Sequence, residues 1–236
     1  MVDKLKIHEL LHDYFWNANT EWPLAAHEYE IDDDGLVHIN DADVMCKRIP
    51  PEGRLPISFG EVQGDFLVED MQLTTLLGAP TKVSGMFSCK WNQLITLKHA
   101  PTSCAVLDCG HNMLTSLRYA PKVLHTIHCD HNELTDLSTV QAVRHLDVMF
   151  NPLENCRQIA PHMGRVTISY SKELPMLGLL AATEIRVLHE HEADYMVDLG
   201  KILNKYCVGE GGGDKASMLK CAAELIRAGY KENARW

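Results

Sequence analysis

Three acidic or imidazole side chains recur at intervals of 19 or 20 residues and could together perform acid–base or metal chemistry: Asp108, His128 and Asp147. Asp130 and His131 follow the second of them. If the interval is that of a stacked repeat, a carboxylate lies beside an imidazole, as in a general base or part of a metal site. Catalysis would also need a nucleophile or a third strong ligand, and a closed pocket that an open repeat surface does not supply. We therefore expect solvated or salt-bridged residues here, with a metal-dependent hydrolase as the alternative.

A second acidic group, within residues 27–43, comes close to a calcium-binding loop. Suitable residues fall on loop positions 1, 3, 5, 6 and 12, in the order Glu30, Asp32, Asp34, Gly35 and Asp41. Glu at position 1 and Asp at position 12 depart from that pattern. The same residues place Asp34-Gly35 between two short β-type runs, 29–31 and 36–39, which predicts a β-hairpin. The hairpin is the interpretation that we favour.

Two other motifs resemble chemical sites and fail in their spacing. His189-Glu190-His191-Glu192 is not H-E-x-x-H, and alternation on an extended segment would hold the two imidazoles about 7 Å apart. We expect an exposed turn there. The glycine-rich segment 209–213 does not form a phosphate loop, because Asp214 stands directly before Lys215. We expect no cofactor.

The elements that position these residues come from a phrase that recurs every 19 to 21 residues between Phe66 and Val187. Each copy begins with two apolar residues separated by one residue, which indicates a half-buried strand. The pairs are Phe66/Val68, Phe87/Cys89, Leu107/Cys109, Ile127/Cys129, Leu146/Val148, Val166/Ile168 and Ile185/Val187. Stacked copies would bury these pairs in parallel strands, one strand per repeat.

An asparagine follows each central pair by three residues, and two leucines then return to the core. The asparagines are Asn92, Asn112, Asn132 and Asn151, while Met71 and Ser171 stand in the outer copies. A buried asparagine can satisfy backbone groups where the chain leaves the strand. The leucine pairs are Leu73/Leu76, Leu94/Leu97, Leu114/Leu117 and Leu134/Leu137, and an Ala-Pro step closes several copies.

This pattern resembles the leucine-rich repeat, L-x-L-x-x-N-x-L-x-x-L, over about half of the chain. Its short period is similar to that of bacterial effector and phage-encoded leucine-rich repeat proteins, and residues 34–66 look like the lead-in of uncharacterised phage proteins. The resemblance implies an α/β leucine-rich repeat solenoid. It also implies a protein-binding role, with a host protein as the partner if the likeness to phage proteins holds. It does not extend to the ubiquitin-ligase domain that some effectors carry.

Three segments are expected: an N-terminal helix and hairpin cap (1–43), the solenoid (44–188) and a C-terminal helical cap (189–236). Asp3 can cap a helix over 4–16, and Asp214 can cap one over 215–228 that Gly229 ends. A further helix is predicted over 193–207. Helical caps at both ends would cover strands that otherwise expose unpaired backbone groups.

Composition excludes several function classes. The formal charge is −10, and residues 1–43 hold eleven acidic residues against two lysines, so we expect no nucleic-acid partner. The start of the chain lacks a long apolar run, so we expect neither a signal peptide nor a membrane partner, and a cytoplasmic location. The eight cysteines, three of them in one inward column, are expected as buried free thiols.

The residues expected to bind a partner lie on two surfaces. Strand alternation places Asp108, His128 and Asp147 on the concave face, together with their neighbours along each strand. Just before the asparagines stands a second set of ring side chains: Trp91, His111, His131, Phe150 and Tyr170. Flat amphipathic rings are common interface anchors; the alternative is that they only pack on one another. We expect a non-enzymatic protein-interaction module, with self-assembly as another alternative.

Overall fold

The structure is a computed structural model that describes residues 2–157, 159–160, 163–189, 192–196 and 198–235. The chain forms two compact units, Met1–Leu124 and His125–Trp236. Each unit is a mixed α/β structure built on a β-solenoid of parallel strands, which confirms the predicted class of fold. The segment boundaries at 43/44 and 188/189 remain predictions.

In the first unit, one helix precedes ten short strands. They are α1 (Lys4–Tyr14), β1 (Phe15–Asn17), β2 (Trp22–Pro23), β3 (Tyr29–Ile31), β4 (Val37–Ile39), β5 (Val44–Cys46), β6 (Phe59–Val62), β7 (Phe66–Leu67), β8 (Lys82–Val83), β9 (Met86–Ser88) and β10 (Ser103–Asp108), with a short 3-10 turn at Pro51–Gly53. The main sheet has the order β10-β9-β7-β5-β1-β2. Strands β5, β7, β9 and β10 are parallel, and β1 and β2 join antiparallel at the end.

The predicted inward column forms in register in this sheet. Val44 pairs with Phe66, Phe66 with Phe87, and Phe87 with Leu107, and all four are fully buried. Phe15 and Phe59 enclose the same core. The ring of Phe59 packs edge-to-face against those of Phe15 and Phe66, with centroids 4.8 Å apart in both pairs. Edge-to-face rings are a favourable packing geometry, so aromatic residues close the core at this end of the unit.

A second sheet, with the order β3-β4-β6-β8, was not predicted. The predicted hairpin forms its edge, because β3 and β4 pair antiparallel with Tyr29 opposite Ile39. The turn contains Gly35, whose φ of +83° favours glycine. Strands β6 and β8 then add in parallel. The proline-rich stretch 47–59, which the sequence suggested only wraps back toward the repeats, therefore leads into this sheet.

The described residues of the second unit, which begins at His125 within its first strand, form five strands followed by two helices. They are β11 (Lys122–His128), β12 (His145–Asp147), β13 (Arg165–Ser169), β14 (Glu184–His189), β15 (Glu192–Met196), α2 (Asp198–Asn204) and α3 (Lys215–Arg227), with 3-10 turns at Leu177–Ala181 and Val208–Glu210. The strands from β11 to β14 are parallel, in the register Ile127, Leu146, Val166 and Ile185. These four side chains are buried, as alternation predicted.

The C-terminal elements correct one prediction and confirm another. The helix predicted over 193–207 is wrong in its first part, because residues 192–196 form β15, antiparallel to β14. Pairing there satisfies the backbone of an edge that a helix would leave open. The later helix forms as α3, with the Asp214 carboxylate accepting from the Ser217 N–H at 2.7 Å. At the other end of the chain, α1 is capped by Asp3 and stops at Tyr14, two residues early.

All eight cysteines are buried free thiols, as predicted. Burial raises the pKa of the Cys104 and Cys156 thiols to about 12, so both stay protonated at neutral pH. Protonated buried thiols behave as small apolar side chains and not as nucleophiles. In the part of the chain that the structure describes, no helix combines the length and the apolar character needed to cross a bilayer.

Candidate functional site

Within each unit, the predicted asparagines join one turn to the turn before it. Asn92 Oδ1 accepts from the N–H groups of Met71 (3.0 Å) and Leu73 (2.9 Å). Its Nδ2 donates to Val68 O at 2.7 Å and Cys89 O at 2.9 Å. The side chain is only 9% exposed, so these contacts replace water for backbone groups on two successive turns.

The same arrangement recurs in other copies within each unit. In the first unit, Asn112 accepts from Leu94 N (3.0 Å) and donates to Cys89 O (3.0 Å). In the second unit, Asn151 accepts from Leu134 N (3.0 Å) and donates to Cys129 O (2.9 Å). The predicted role of these side chains is therefore confirmed. We call Asn92, Asn112, Asn132 and Asn151 the asparagine ladder.

The residue before each ladder asparagine has a left-handed backbone. Trp91, His111, His131 and Phe150 have φ values of 54°, 52°, 50° and 54°. Glycine adopts this region readily and asparagine, aspartate and histidine are enriched there, whereas tryptophan and phenylalanine incur a cost of about 1–2 kcal/mol each. We call these four residues the aromatic edge. The left-handed turn directs the next side chain, the asparagine, into the core.

In the first unit, the edge pairs an indole with an imidazole. The rings of Trp91 and His111 are 5.6 Å apart, and the Lys90 ammonium lies 4.9 Å from the Trp91 ring. Trp91 nevertheless remains 49% exposed. Packing within the edge therefore leaves half of the largest ring uncovered, although burial of such a ring is strongly favourable.

In the second unit, the rings of His131 and Phe150 stack at 4.1 Å. Nδ1 of the same imidazole lies 2.9 Å from the Asp130 carboxylate. Tyr170 behaves differently from the other ring residues, because it contacts His189 (5.9 Å) and Tyr230 (6.3 Å). The predicted set of five is thus divided in this unit into a stacked pair and a separate group around Tyr170.

A groove of about 490 Å³ in the second unit is lined by Phe150 and Tyr170. Its lining also includes Val148, Asn151, Leu153, Ile168, Ser169, Ser171 and Glu133. Such a mixture of apolar and polar groups is typical of a binding site. The sequence analysis did not identify this groove.

On the outward face of the first unit, the predicted site residue Asp108 takes part in an ion-pair group. Lys90 Nζ lies 3.4 Å from the Asp108 carboxylate and 3.5 Å from that of Glu69. Ser88 Oγ donates to Glu69 at 2.6 Å. Asp108 therefore belongs to a salt-bridged group, as the simpler interpretation of the Asp/His column predicted.

On the outward face of the second unit, His128 stands directly opposite Asp147 in the strand register. Burial raises the pKa of the Asp147 carboxyl, the nearby Asp130 adds to the rise, and hydrogen bonding to Met149 N (3.1 Å) opposes it. Further along, Glu184 accepts from Arg165 (2.7 Å) and Arg186 (3.1 Å). Asp147 is thus easier to protonate than an ordinary carboxyl, and it lies beside the His128 imidazole. This pair is the feature of the outward face that comes closest to acid–base chemistry.

The acidic loop at 30–41 uses its first aspartates to build the hairpin. Asp32 Oδ1 accepts from the N–H groups of Asp34 (3.0 Å) and Leu36 (2.8 Å). These backbone hydrogen bonds, that of Leu36 above all, lower the pKa of the Asp32 carboxyl. In the His189–Glu192 motif, Glu190 and His191 lie outside the described residues.

Comparison of the chain with protein-family models, with curated proteins and with solved structures finds no match. The site is therefore characterised by its own geometry: an exposed edge of rings on a strained backbone, a groove beside Phe150, and charged residues on the outward faces of the strands.

Proposed function

We propose that this protein is a non-enzymatic protein-binding module that engages its partner through the aromatic edge. The observation that carries the proposal is the combination of exposure and backbone strain at Trp91. A conformation that favours glycine holds an indole that is half exposed. Aromatic anchors of this kind are enriched at binding hot spots.

The alternative, in which the rings only shield the asparagine turns, accounts less well for the first unit. His111 covers one side of Trp91, but asparagine at position 91 would form the same left-handed turn at lower cost. A ring there therefore gives the fold little advantage. A partner that covers it would gain apolar burial of about 25 cal/mol per Å².

The finer description of the fold is part of the same proposal. The repeated L-x-L-x-x-N-x-L-x-x-L phrase supports a leucine-rich repeat solenoid, and α1 and α3 are the elements we propose as its terminal caps. The resemblance to phage-encoded repeat proteins supports a bacterial host protein as the partner, in the cytoplasm. On the outward faces, Asp108, His128 and Asp147 would form the polar part of the interface, where charges favour encounter and specificity over affinity.

The proposal is tested by affinity capture from bacterial lysate with the full chain and single variants. Trp91→Asn and Phe150→Asn each remove a ring and keep a residue suited to the left-handed turn. Tyr119→Asn is the matched control, because Tyr119 is also left-handed (φ 73°) and 55% exposed but lies outside the edge. We expect a prey protein that is lost with the edge variants and kept with the control.

Prey that all three variants retain equally would contradict the edge as the binding surface. Light scattering on the purified protein accompanies the capture. A concentration-dependent oligomer that Trp91→Asn dissociates would assign the edge to self-assembly instead.

One observation favours a second candidate, a metal-dependent hydrolase. The Asp147 carboxyl, whose pKa is raised by burial, stands opposite His128 in register. An enzyme of this kind would bind a divalent ion with a stoichiometry near one per chain and lose both ion and hydrolysis in His128→Ala. Metal analysis by mass spectrometry after dialysis against zinc or manganese, with His145→Ala as a control on the same face, distinguishes the two candidates.

A further inference from the structure

The asparagine ladder ends in the second unit, at position 171. Asn151 follows the pair Leu146/Val148 by three residues, and the corresponding residue after Val166/Ile168 is Ser171. Tyr170 is not left-handed, unlike the four edge residues, and the side chain of Ser171 is exposed instead of directed into the core. The next asparagine to contact this region is Asn233, whose Nδ2 donates to Ser171 O and Leu174 O, both at 2.8 Å. Those carbonyls lie after the strand, so Asn233 does not replace the missing contact.

Backbone groups on the preceding turn show the effect of this gap. The N–H groups of Leu73, Leu94 and Leu134 each donate to the side chain of an asparagine from the following turn. The equivalent N–H of Leu153 donates instead to Asn151 O of its own turn, at 2.8 Å. The N–H of Leu153 therefore bonds within its own turn, whereas its counterparts donate to a side-chain amide oxygen of the following turn.

A carbonyl on the same turn shows the complementary change. Cys89 O receives two ladder amides, from Asn92 (2.9 Å) and Asn112 (3.0 Å). Val148 O accepts from the Asn151 amide at 3.1 Å. Because residue 171 is a serine, the next turn offers no second ladder amide to this oxygen. A carbonyl oxygen has two lone pairs, so Val148 O can accept one more donor from the direction of the gap.

The groove described above lies at this gap. Val148, Asn151, Leu153 and Ser171 all line it, and its volume of about 490 Å³ exceeds that of one amide group. Phe150 and Tyr170 line it as well. The groove therefore lies beside a turn that lacks its second ladder amide, and it offers two rings for contact.

We propose that this groove binds the primary carboxamide of an asparagine or glutamine side chain carried by an extended segment of the partner protein. The ligand amide takes the place of the missing ladder asparagine: Leu153 N–H exchanges its present acceptor, Asn151 O, for the oxygen of the ligand amide, and the ligand NH₂ donates to Val148 O. The flanking peptide units lie against Phe150 and Tyr170. This inference rests on the proposed protein-binding function and names the chemistry that the site recognises.

The chemistry of the groove selects an amide over a carboxylate. The site requires a donor and an acceptor in one planar group, and a carboxylate has no donor. Glu133 in the lining accepts hydrogen bonds and repels an anion. A site that is built for a hydrogen-bonding group rejects an analogue that leaves its partners unpaired.

The test uses two small probes, N-acetyl-asparagine methylamide and the isosteric N-acetyl-aspartate methylamide, titrated at pH 7 into the full ¹⁵N-labelled chain. Backbone amide shifts are followed by NMR at Leu153, Tyr170 and Ser171. We expect saturable shifts for the amide, with a Kd on the order of millimolar, and a Kd at least about tenfold higher for the carboxylate. Equal shifts with the two probes would overturn the proposal.

Two double variants provide the matched pair. Tyr170→Gly/Ser171→Asn supplies a residue suited to the left-handed turn together with the missing ladder amide, so it is expected to abolish the shifts of the amide probe. Tyr170→Gly/Ser171→Ala changes the turn in the same way without the amide, and its Kd for the probe should be at least about tenfold lower than that of the first variant. Equal probe binding by the two variants, both folded, would also refute the inference.

Failure of this inference can be told from failure of the proposed function. The probe titration needs no partner, whereas the capture experiment depends on Trp91 and Phe150. Prey that is lost with the edge variants, in a protein that ignores both probes, would leave the binding module in place and remove the amide site. Probe binding without edge-dependent prey would retain the site and remove the proposed mode of protein binding.

Discussion

Trp91 and Asn92 are adjacent in the chain and differ in nearly every physical respect. Asn92 is buried and makes hydrogen bonds to backbone groups on two turns, whereas Trp91 is half exposed. The left-handed φ of 54° at Trp91 connects them, because it is the turn that points the next side chain inward. The fold therefore needs the side chain of Asn92, whereas Trp91 contributes to it through its backbone conformation.

This difference separates structural residues from those available for function. At the ladder, the residue type is determined by donors and acceptors that would otherwise be buried unsatisfied. At the aromatic edge, the left-handed backbone disfavours Trp91 and Phe150 most. Under the proposed function, these two side chains serve through what their rings contact.

A second set of left-handed residues limits this argument. Gly78, His99 and Tyr119 have φ values of 94°, 72° and 73° and precede the Ala-Pro steps. Here one copy does use glycine, and the Tyr119 ring contacts the neighbouring Arg118 at 5.2 Å. Positive φ alone therefore does not identify a binding residue. In the edge it coincides with ring-to-ring contacts and with a groove.

The largest expected effect comes from the ladder. Asn92→Ala leaves the N–H groups of Met71 and Leu73 and the carbonyl of Val68 without their side-chain partner, whereas Cys89 O keeps the Asn112 amide. We expect the free energy of unfolding to fall by about 3 kcal/mol or more, measured by chemical denaturation. Asn40→Ala, at an exposed asparagine directly after β4, is the control and should change stability little. A loss from Asn92→Ala as small as that of the control would refute the structural role of the ladder.

A smaller change in the free energy of unfolding is expected for substitutions of Trp91. Trp91→Asn removes the ring but suits the left-handed turn, so the free energy of unfolding should change by less than about 1 kcal/mol. Trp91→Val also removes the ring, and its β-branched side chain is poorly accommodated at positive φ. It should be less stable than Trp91→Asn by about 1–2 kcal/mol. Equal stabilities of the two variants would show that position 91 has no left-handed requirement in solution.

The periodic parts of this fold could be predicted from the sequence. Buried pairs such as Phe87/Cys89 alternate with outward residues because a strand has a period of two, and the register places them as expected. The ladder could also be predicted, because an asparagine that recurs beside apolar residues must satisfy backbone groups. Those features depend only on local geometry and on burial.

The remaining parts depend on contacts that short stretches do not specify. Strands β6 and β8 have four and two residues, too few for a pattern, and β15 depends on the open edge of β14. The positive φ of Trp91 gives no sequence signal, since no glycine marks it. For the groove there was a signal: serine at 171, where the ladder lacks its asparagine, predicts a gap once the ladder's role is known.

The smallest expected change in stability comes from Asp147, on the outward face of β12. Its pKa is raised, chiefly by burial, so in the pH range between the unfolded and folded values the folded state binds more protons than the unfolded state. Stability is therefore highest below the unfolded pKa of about 3.9 and decreases as pH rises through the folded pKa. Asp147→Asn removes this penalty and keeps an oxygen to accept from Met149 N–H.

We therefore expect Asp147→Asn to be slightly more stable than the unmodified chain at pH 7 and not at pH 3, as measured by thermal denaturation. Asp136→Asn is the matched control of opposite sign, because hydrogen bonds from Ser138 lower the pKa of Asp136. Its carboxylate contributes stability above the unfolded pKa that is lost as pH falls through the folded pKa, so this variant should lose stability at pH 7. A gain from Asp147→Asn that persists at pH 3 would show that packing, and not the charge of a partly buried carboxylate, sets the stability at this position.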